Sequence, residues 1–354
     1  MAINIGLVGA TGYVGQMFAC LLDGHPWFRV SKLAASNASA GKTYQAAVEN
    51  RWKLSEPMPA YIRDMPLQSL DNLESFASGL DLVFCAVNMP KESIRQLEES
   101  IAALEVPVVS NNSACRHIPD VPVIIPELNP THSAVIDLQK RRLGTKRGFI
   151  TAKPNCSIQS YVPALTPLLH YKPTKVNVCT YQAITGAGLT LADAPHVINN
   201  LIPYIAGEER KSEQEPLKIW GTVTSDGIEQ AAAPIISAQC YRVCVEAGHT
   251  AAVSVLFELK PHIDDILNAW ANFAPDTVGL PSTPVPFLRY LQDEDRPQPL
   301  LDAGYNNGMG VSIGRLRHDN IFDYKFTCLS HNGIRGAAGG AILTAELLVK
   351  QGYI

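Results

Sequence analysis

The chain predicts an α/β fold, with a doubly wound parallel sheet of Rossmann type first and a mixed-sheet α+β domain after it. Three observations carry that expectation. Short apolar runs alternate with stretches of helical spacing through about the first 150 residues, the pattern of consecutive βα units. A glycine-rich turn follows the first of those runs directly, at residues 9–15. Beyond Cys156 the texture changes to longer strand-like runs, which suits a mixed or antiparallel sheet with helices on one face. At 354 residues the chain also exceeds one ordinary core, so two domains are expected.

In chain order, residues 3–8 form a short apolar strand, 13–22 have helical spacing and 30–35 read as a second strand. Residues 82–87 and 106–109 are two further buried strands, each preceded by a plausible helix. A run at 148–152 leads into Lys153-Pro154-Asn155-Cys156-Ser157-Ile158-Gln159, where Pro and Asn suit a sharp strand-to-helix elbow. Further strands are expected at 176–182, 243–245 and 251–260, and a proline-rich surface excursion at 272–300. Residues 336–350 are small and then apolar at helical spacing, which predicts a last helix returning to the first domain. The expected division is 1–155 with 335–354 as the cofactor domain, and 156–334 as the catalytic and dimerisation domain.

Composition excludes several classes of function. A formal net charge of -4 gives no electrostatic reason for nucleic acid or an anionic membrane as a partner. No apolar stretch is long enough to span a bilayer, and no signal-like segment opens the chain. The eight cysteines are scattered without CxxC spacing, and the nine histidines show no metal-ligand spacing. Reduced thiols in a cytoplasm fit that pattern better than disulfides or a structural metal.

The turn Gly9-Ala10-Thr11-Gly12-Tyr13-Val14-Gly15 has GxxGxxG spacing and enters the first helix. Glycines there let backbone amides approach a pyrophosphate at a helix N-terminus, so Gly9, Thr11, Gly12, Tyr13, Val14 and Gly15 are candidate cofactor contacts. After the second strand comes Ser36-Asn37-Ala38-Ser39-Ala40-Gly41-Lys42, with no acidic residue. Ser36, Ser39 and Lys42 would accept a ribose 2′-phosphate, which favours NADP, with NAD as a secondary possibility.

Cys156 opens the segment after the elbow. A thiol at a helix N-terminus is expected to favour its thiolate and to act as a nucleophile on a carbonyl. Four clusters could converge on it: Ser110-Asn111-Asn112-Ser113-Ala114-Cys115-Arg116, Gln182 to Gly188, Gly207-Glu208-Glu209-Arg210-Lys211, and Arg242 to His249. If a strand and a Gly248 turn separate Arg242 from His249, both can face one cleft. Each cluster also has an ordinary alternative: a solvated helix start, a structural histidine, a surface arginine or a buried cysteine.

Taken together, these motifs resemble the aspartate-semialdehyde dehydrogenases, above all their fungal and archaeal branch. The resemblance rests on GATGYVGQ, AASNASAGK, SNNSACR, VIIPELNP, KPNCSIQ, QAITGAG, IPYIAGEERK, RVCVEAGHT and SHNGIRGAAGGAILTAELLVKQGYI, in that order. It implies Cys156 as nucleophile, His249 as acid/base and Gln182 as the residue orienting the acyl intermediate. It implies Arg242 for the substrate carboxylate and Glu208 for its amine. Arg116 and Lys211 match the phosphate-binding pair, Asn112 is a further substrate-binding residue, and Gly186 and Asn332 match the cofactor contacts. The implied reaction is reductive dephosphorylation of 4-phospho-L-aspartate to aspartate semialdehyde by a homodimer or homotetramer. Lys153, Cys244 and Ala38 stand where the family commonly has Asn, Pro and Arg. The rivals are a malonyl-CoA reductase, an N-acetyl-γ-glutamyl-phosphate reductase, or a catalytically silent paralogue acting as a binding subunit.

Overall fold

The computed structural model describes residues 2–354. Six strands build the first sheet: β1 Ile3–Val8, β2 Phe28–Ala34, β3 Leu67–Gln68, β4 Leu82–Cys85, β5 Val108–Ser110 and β6 Ile150–Ala152. Their order is β3-β2-β1-β4-β5-β6 and every pairing is parallel. The order reverses direction between β1 and β4, and ligands of such sheets bind beyond the strand C-termini at that switch. The strands are short and almost wholly apolar because helices cover both faces.

The second sheet has seven strands: β7 Pro173–Gln182, β8 Leu201–Ile202, β11 Ile235–Val243, β12 His249–Phe257, β13 Leu288–Leu291, β14 Val311–His318 and β15 Tyr324–Ser330. β9 Thr222–Thr224 and β10 Gly227–Glu229 form a separate hairpin. The order is β13-β14-β15-β12-β7-β11-β8, with parallel pairs β7/β11 and β13/β14 in an otherwise antiparallel sheet. On β7 and β11 burial alternates residue by residue, as a sheet covered on one face requires.

Two details differ from the sequence expectation. The strand expected at 243–245 lies earlier, at Ile235–Val243, and residues 244–248 turn the chain, with Gly248 at φ +100°. The segment 272–300 is not wholly a surface excursion. Phe287 and Leu288 are buried, and β13 forms the sheet edge, where nearby prolines cost no ladder hydrogen bond.

The helix Gly339–Lys350 packs Ala341, Ile342, Ala345 and Leu348 into the same apolar cluster as Ile5, Leu7, Phe84 and Val109. A second cluster runs without a break from Val83 and Val108 of the first sheet to Val178 and Val253 of the second. The two sheets therefore share core, and the cleft between them has walls fixed by packing.

Candidate active site

The glycine turn is built as its spacing suggests. Gly9 has φ +84°, and a Cβ there would lie 2.3 Å from the Ala86 carbonyl oxygen, so only glycine fits. Gly12 caps the helix Tyr13–Leu21, and nothing closer than 3.6 Å would meet a Cβ on it. Gly15 lies against the Gly9 and Ala10 carbonyls, which lets the helix approach the strand. A turn open above Gly12 and closed beneath Gly9 and Gly15 fits a dinucleotide pyrophosphate, with Thr11, Tyr13 and Val14 at the rim. In the loop after β2, Ser36 and Lys42 are exposed, whereas Ser39 is buried. Asn37 donates to the Asp71 carboxylate at 3.2 Å, so a carboxylate from a distant segment reaches a loop whose own sequence lacks one.

The remaining candidates converge on a cavity of about 390 Å³ at the C-terminal ends of β1, β4, β5 and β6. It is lined by Tyr13, Val14, Asn112, Arg116, Cys156, Gln182, Gly186, Glu208, Lys211, Arg242 and Asn332. Strand register explains much of this. Arg242 pairs with Gln182 across β11 and β7, and Thr250 with Tyr181 across β12 and β7, which sets His249 beside the same row. Three neighbouring strand ends thus present one arginine, one glutamine and one histidine to the buried side.

Cys156 Sγ lies 3.3 Å from His249 Nε2. On the far side of the ring the Ala183 amide donates to Nδ1 at 3.0 Å. An acceptor Nδ1 leaves Nε2 carrying the proton of the neutral ring, so the imidazole donates toward sulfur. Burial first, and then Arg242, hold the His249 pKa well below its ordinary value; the Gly248 carbonyl acts weakly the other way. Gly186 backs directly on this pair, since a Cβ there would sit 2.8 Å from the ring and 3.0 Å from Arg242 Nη1.

The thiol itself differs from the sequence expectation. The helix starts at Ile158 with Ser157 as its cap, so Cys156 stands just before the first turn. Burial pushes its pKa up, Glu208 adds to that, and Lys153, Arg116 and Arg242 pull it down. Desolvation outweighs the helix end here because it acts on the whole charge of the thiolate.

Glu208 accepts from Asn155 Nδ2 at 2.9 Å, Lys211 Nζ at 2.6 Å and Gln182 Nε2 at 3.4 Å. Burial raises its pKa, but Lys211 and these donors prevail and the net shift is downward. It is an ionised carboxylate in the cavity wall. Arg116 donates to Glu215 Oε1 at 2.9 Å and to the Asn111 carbonyl at 2.9 Å, while its buried Nε has no partner. Arg242 Nη1 donates to the Ala183 carbonyl at 2.7 Å. Asn332 joins two loops, donating to Thr185 Oγ1 at 2.9 Å and accepting from the Gly248 amide at 2.8 Å. Asn112 donates to the buried Glu98 carboxylate at 3.0 Å, and so is anchored from below.

Sequence reasoning missed Glu215, Asn155 as more than a turn residue, and Lys153 as a wall of the cavity. Glu215 follows Glu208 and Lys211 at helical spacing on Glu208–Ile219, and i, i+3, i+7 places all three on one face. That signal was available. Of the cavity's charged side chains, Arg116, Lys153, Lys211 and Arg242 are cationic and Glu208 is the carboxylate, so the site favours an anionic ligand.

A glycine cradle for a dinucleotide facing a half-buried thiol beside a buried imidazole is the combination of the semialdehyde dehydrogenase class. Family models of that class match in two pieces. The semialdehyde dehydrogenase NAD-binding domain matches residues 4–136, and the semialdehyde dehydrogenase dimerisation domain matches residues 165–335. The aspartate-semialdehyde dehydrogenase of Archaeoglobus fulgidus is 39% identical over 100% of both chains. That of Schizosaccharomyces pombe is 40% identical, also over 100% of each. The crystal structure of the Candida albicans enzyme with NADP superposes with a TM-score of 0.89 at 35% identity, covering 100% of both chains. The chain belongs to the aspartate-semialdehyde dehydrogenase family.

Proposed function

We propose that the protein reduces 4-phospho-L-aspartate to L-aspartate 4-semialdehyde and phosphate, and runs the reverse reaction, with Cys156 as the nucleophile. The observation that carries this reading is the 3.3 Å contact of His249 with Cys156, which itself lines a cavity with Arg116, Lys153, Lys211 and Arg242. The Cys156 thiolate attacks the acyl carbon, the C–S bond forms, and the C–O bond to phosphate breaks with its electron pair leaving on phosphate. Bound NADPH supplies the hydride that converts the resulting thioester to the aldehyde and frees the thiolate. His249 Nε2–H donates to the oxygen that gains charge as the carbonyl becomes tetrahedral, and Gln182 beside it steadies the acyl group. Arg242 grips the α-carboxylate, Glu208 receives the amine, and Arg116, Lys211 and Asn112 form the phosphate side of the cavity.

The cofactor is read as NADP, with NAD a weaker substitute. The open turn above Gly12 supports the dinucleotide, and exposed Ser36 and Lys42 support the 2′-phosphate, whereas Ser39 is buried beneath them. Thr11, Tyr13, Val14, Gly186 and Asn332 complete that side. The packing of the helix Gly339–Lys350 beside β1 and β4 supports the domain division: residues 1–155 with 335–354 for the cofactor, with Arg116 and Asn112 reaching the substrate from that side, and 156–334 for the other substrate residues and the subunit contact. For the contact, the outer face of the second sheet offers exposed Ile235 and Tyr181, the latter stacked on Tyr241 at 6.0 Å. A second copy of the chain suits it, as a homodimer or a pair of dimers. Eight unpaired thiols suit a reducing compartment such as the cytoplasm.

The test is oxidation of aspartate semialdehyde followed as NADPH absorbance, with and without phosphate, and repeated with NAD. Phosphate-dependent turnover with NADP preferred is the expected outcome. Turnover indifferent to phosphate would reject the acyl-phosphate chemistry.

A further inference from the structure

We infer that Lys153 is the counter-cation of the Cys156 thiolate, a positioning residue that keeps the nucleophile ionised after substrate has engaged the other cations of the site. This rests on the reading of Cys156 as nucleophile. Lys153 follows β6 by one residue, and its side chain is 2% exposed yet lines the cavity beside Cys156. Its Nζ donates to the Pro154 carbonyl at 2.5 Å and to the Gly336 carbonyl. Gly336 packs directly on the nucleophile, since a Cβ there would lie 2.8 Å from Cys156 Cβ. The ammonium is therefore held between two backbone segments that bracket Cys156. The two carbonyls hold two of its three donors, which fixes the charge beside the nucleophile.

The alternatives for balancing the thiolate are already committed. His249 accepts the Ala183 amide at Nδ1 and carries its ring proton at Nε2, so in this state it has no lone pair toward sulfur to take the thiol proton. Arg116 is bound to Glu215, Lys211 to Glu208 and Arg242 to a carbonyl. Arg116, Lys211 and Arg242 are also the groups that the substrate's phosphate and carboxylate would occupy. Lys153, behind the elbow, is the cation left over.

Its electrostatics agree with that geometry. Burial pushes the Lys153 pKa down to about 7, Arg116 and Arg335 also favour the amine, and Cys156 and Glu215 favour the ammonium. Near neutral pH the ammonium form of Lys153 is populated, and its charge lowers the cost of the Cys156 thiolate through space. Around the sulfur, Glu208 opposes ionisation, while Lys153 heads the cations that favour it, followed by Arg116 and Arg242.

The experiment is the pH dependence of iodoacetamide alkylation at Cys156, read by peptide mapping of the full chain, in the parent, Lys153→Met and Lys153→Gln. Gln keeps donors for the carbonyls and lacks the charge, so it separates the clamp from the counter-cation. Both variants should move the alkylation midpoint up by about one pH unit and slow alkylation at pH 7 about tenfold, with the NADP dissociation constant unchanged. An unmoved midpoint in either variant that still binds NADP would overturn the inference. If alkylation confined to Cys156 leaves turnover of the parent intact, the nucleophile reading itself fails, a different result from an unmoved midpoint.

Discussion

Cys156 and His249 meet because two turns deliver them to one point, and each should be separately indispensable. Cys156→Ser is expected to abolish turnover with NADP affinity retained, since a hydroxyl is not ionised near neutral pH. His249→Asn should lower the rate by roughly 10²–10⁴, the usual scale for a proton-handling group. Arg242→Lys keeps the charge but not the planar two-point grip. Steady-state kinetics should show it raising KM for aspartate semialdehyde while KM for NADP holds; a silent Arg242→Lys would show that the carboxylate lies elsewhere. At this scale the sequence was informative wherever chemistry depends on residue type. It was silent on environment: no motif told that burial raises the Cys156 pKa, or that Asp71 comes to rest against Asn37. Those facts depend on what folds over a residue from far along the chain.

The elements that hold the site are tied by buried polar contacts rather than by apolar packing alone. Arg335, at the start of the C-terminal helical segment, donates both terminal nitrogens to Glu127 and its Nε to the Met309 carbonyl at 2.9 Å. Neither side chain of the pair is exposed to solvent. The pair joins the VIIPELNP loop to the turn carrying Gly336, which abuts Cys156. Arg335→Met would leave Glu127 buried without its partner, an expected loss of about 3–5 kcal/mol measurable by urea unfolding. A loss below about 1 kcal/mol would mean that the loop relaxes and water reaches the carboxylate. Both motifs were visible in the sequence as strings, yet their pairing across 208 residues was not. The strands were legible where burial made them continuously apolar. They were misplaced at 243–245, because the residues before Arg242 alternate between buried and exposed and read as a weaker run. β13 was hidden by the prolines on either side of it, among them Pro284, Pro286 and Pro297.

For the molecule as a whole, buried His132 and His249 and half-buried His331 set the acid limit. Burial is the leading cause lowering the pKa of His132, His249 and His331. Below their ordinary value near 6.5 the unfolded chain takes up protons that the folded chain refuses. Their stabilising contribution is thus fully present above that pH and is lost as pH falls toward the folded values. Each contributes up to about 1.4 kcal/mol per pH unit. Glu98, whose pKa burial raises, acts in the opposite sense, against the three histidines and against Lys153, whose pKa burial lowers to about 7. His132 is the informative one, because it accepts from Asn129 Nδ2 at 3.0 Å and donates to the Gly221 carbonyl at 3.1 Å, linking the two halves of the chain. The melting temperature should fall between pH 7 and pH 5.5, and His132→Gln should flatten that fall. A melting temperature that rises toward pH 5.5 would contradict the assignment of neutral buried rings.

The central claim is that catalysis passes through a thioester on Cys156, and a single-turnover experiment without phosphate reads it directly. Aspartate semialdehyde and NADP mixed with the protein should give a burst of about one equivalent of NADPH per subunit. Intact-mass and peptide analysis should then find the aspartyl adduct on the peptide containing Cys156, and phosphate should release it. No burst, or an adduct on any other residue, would contradict the account.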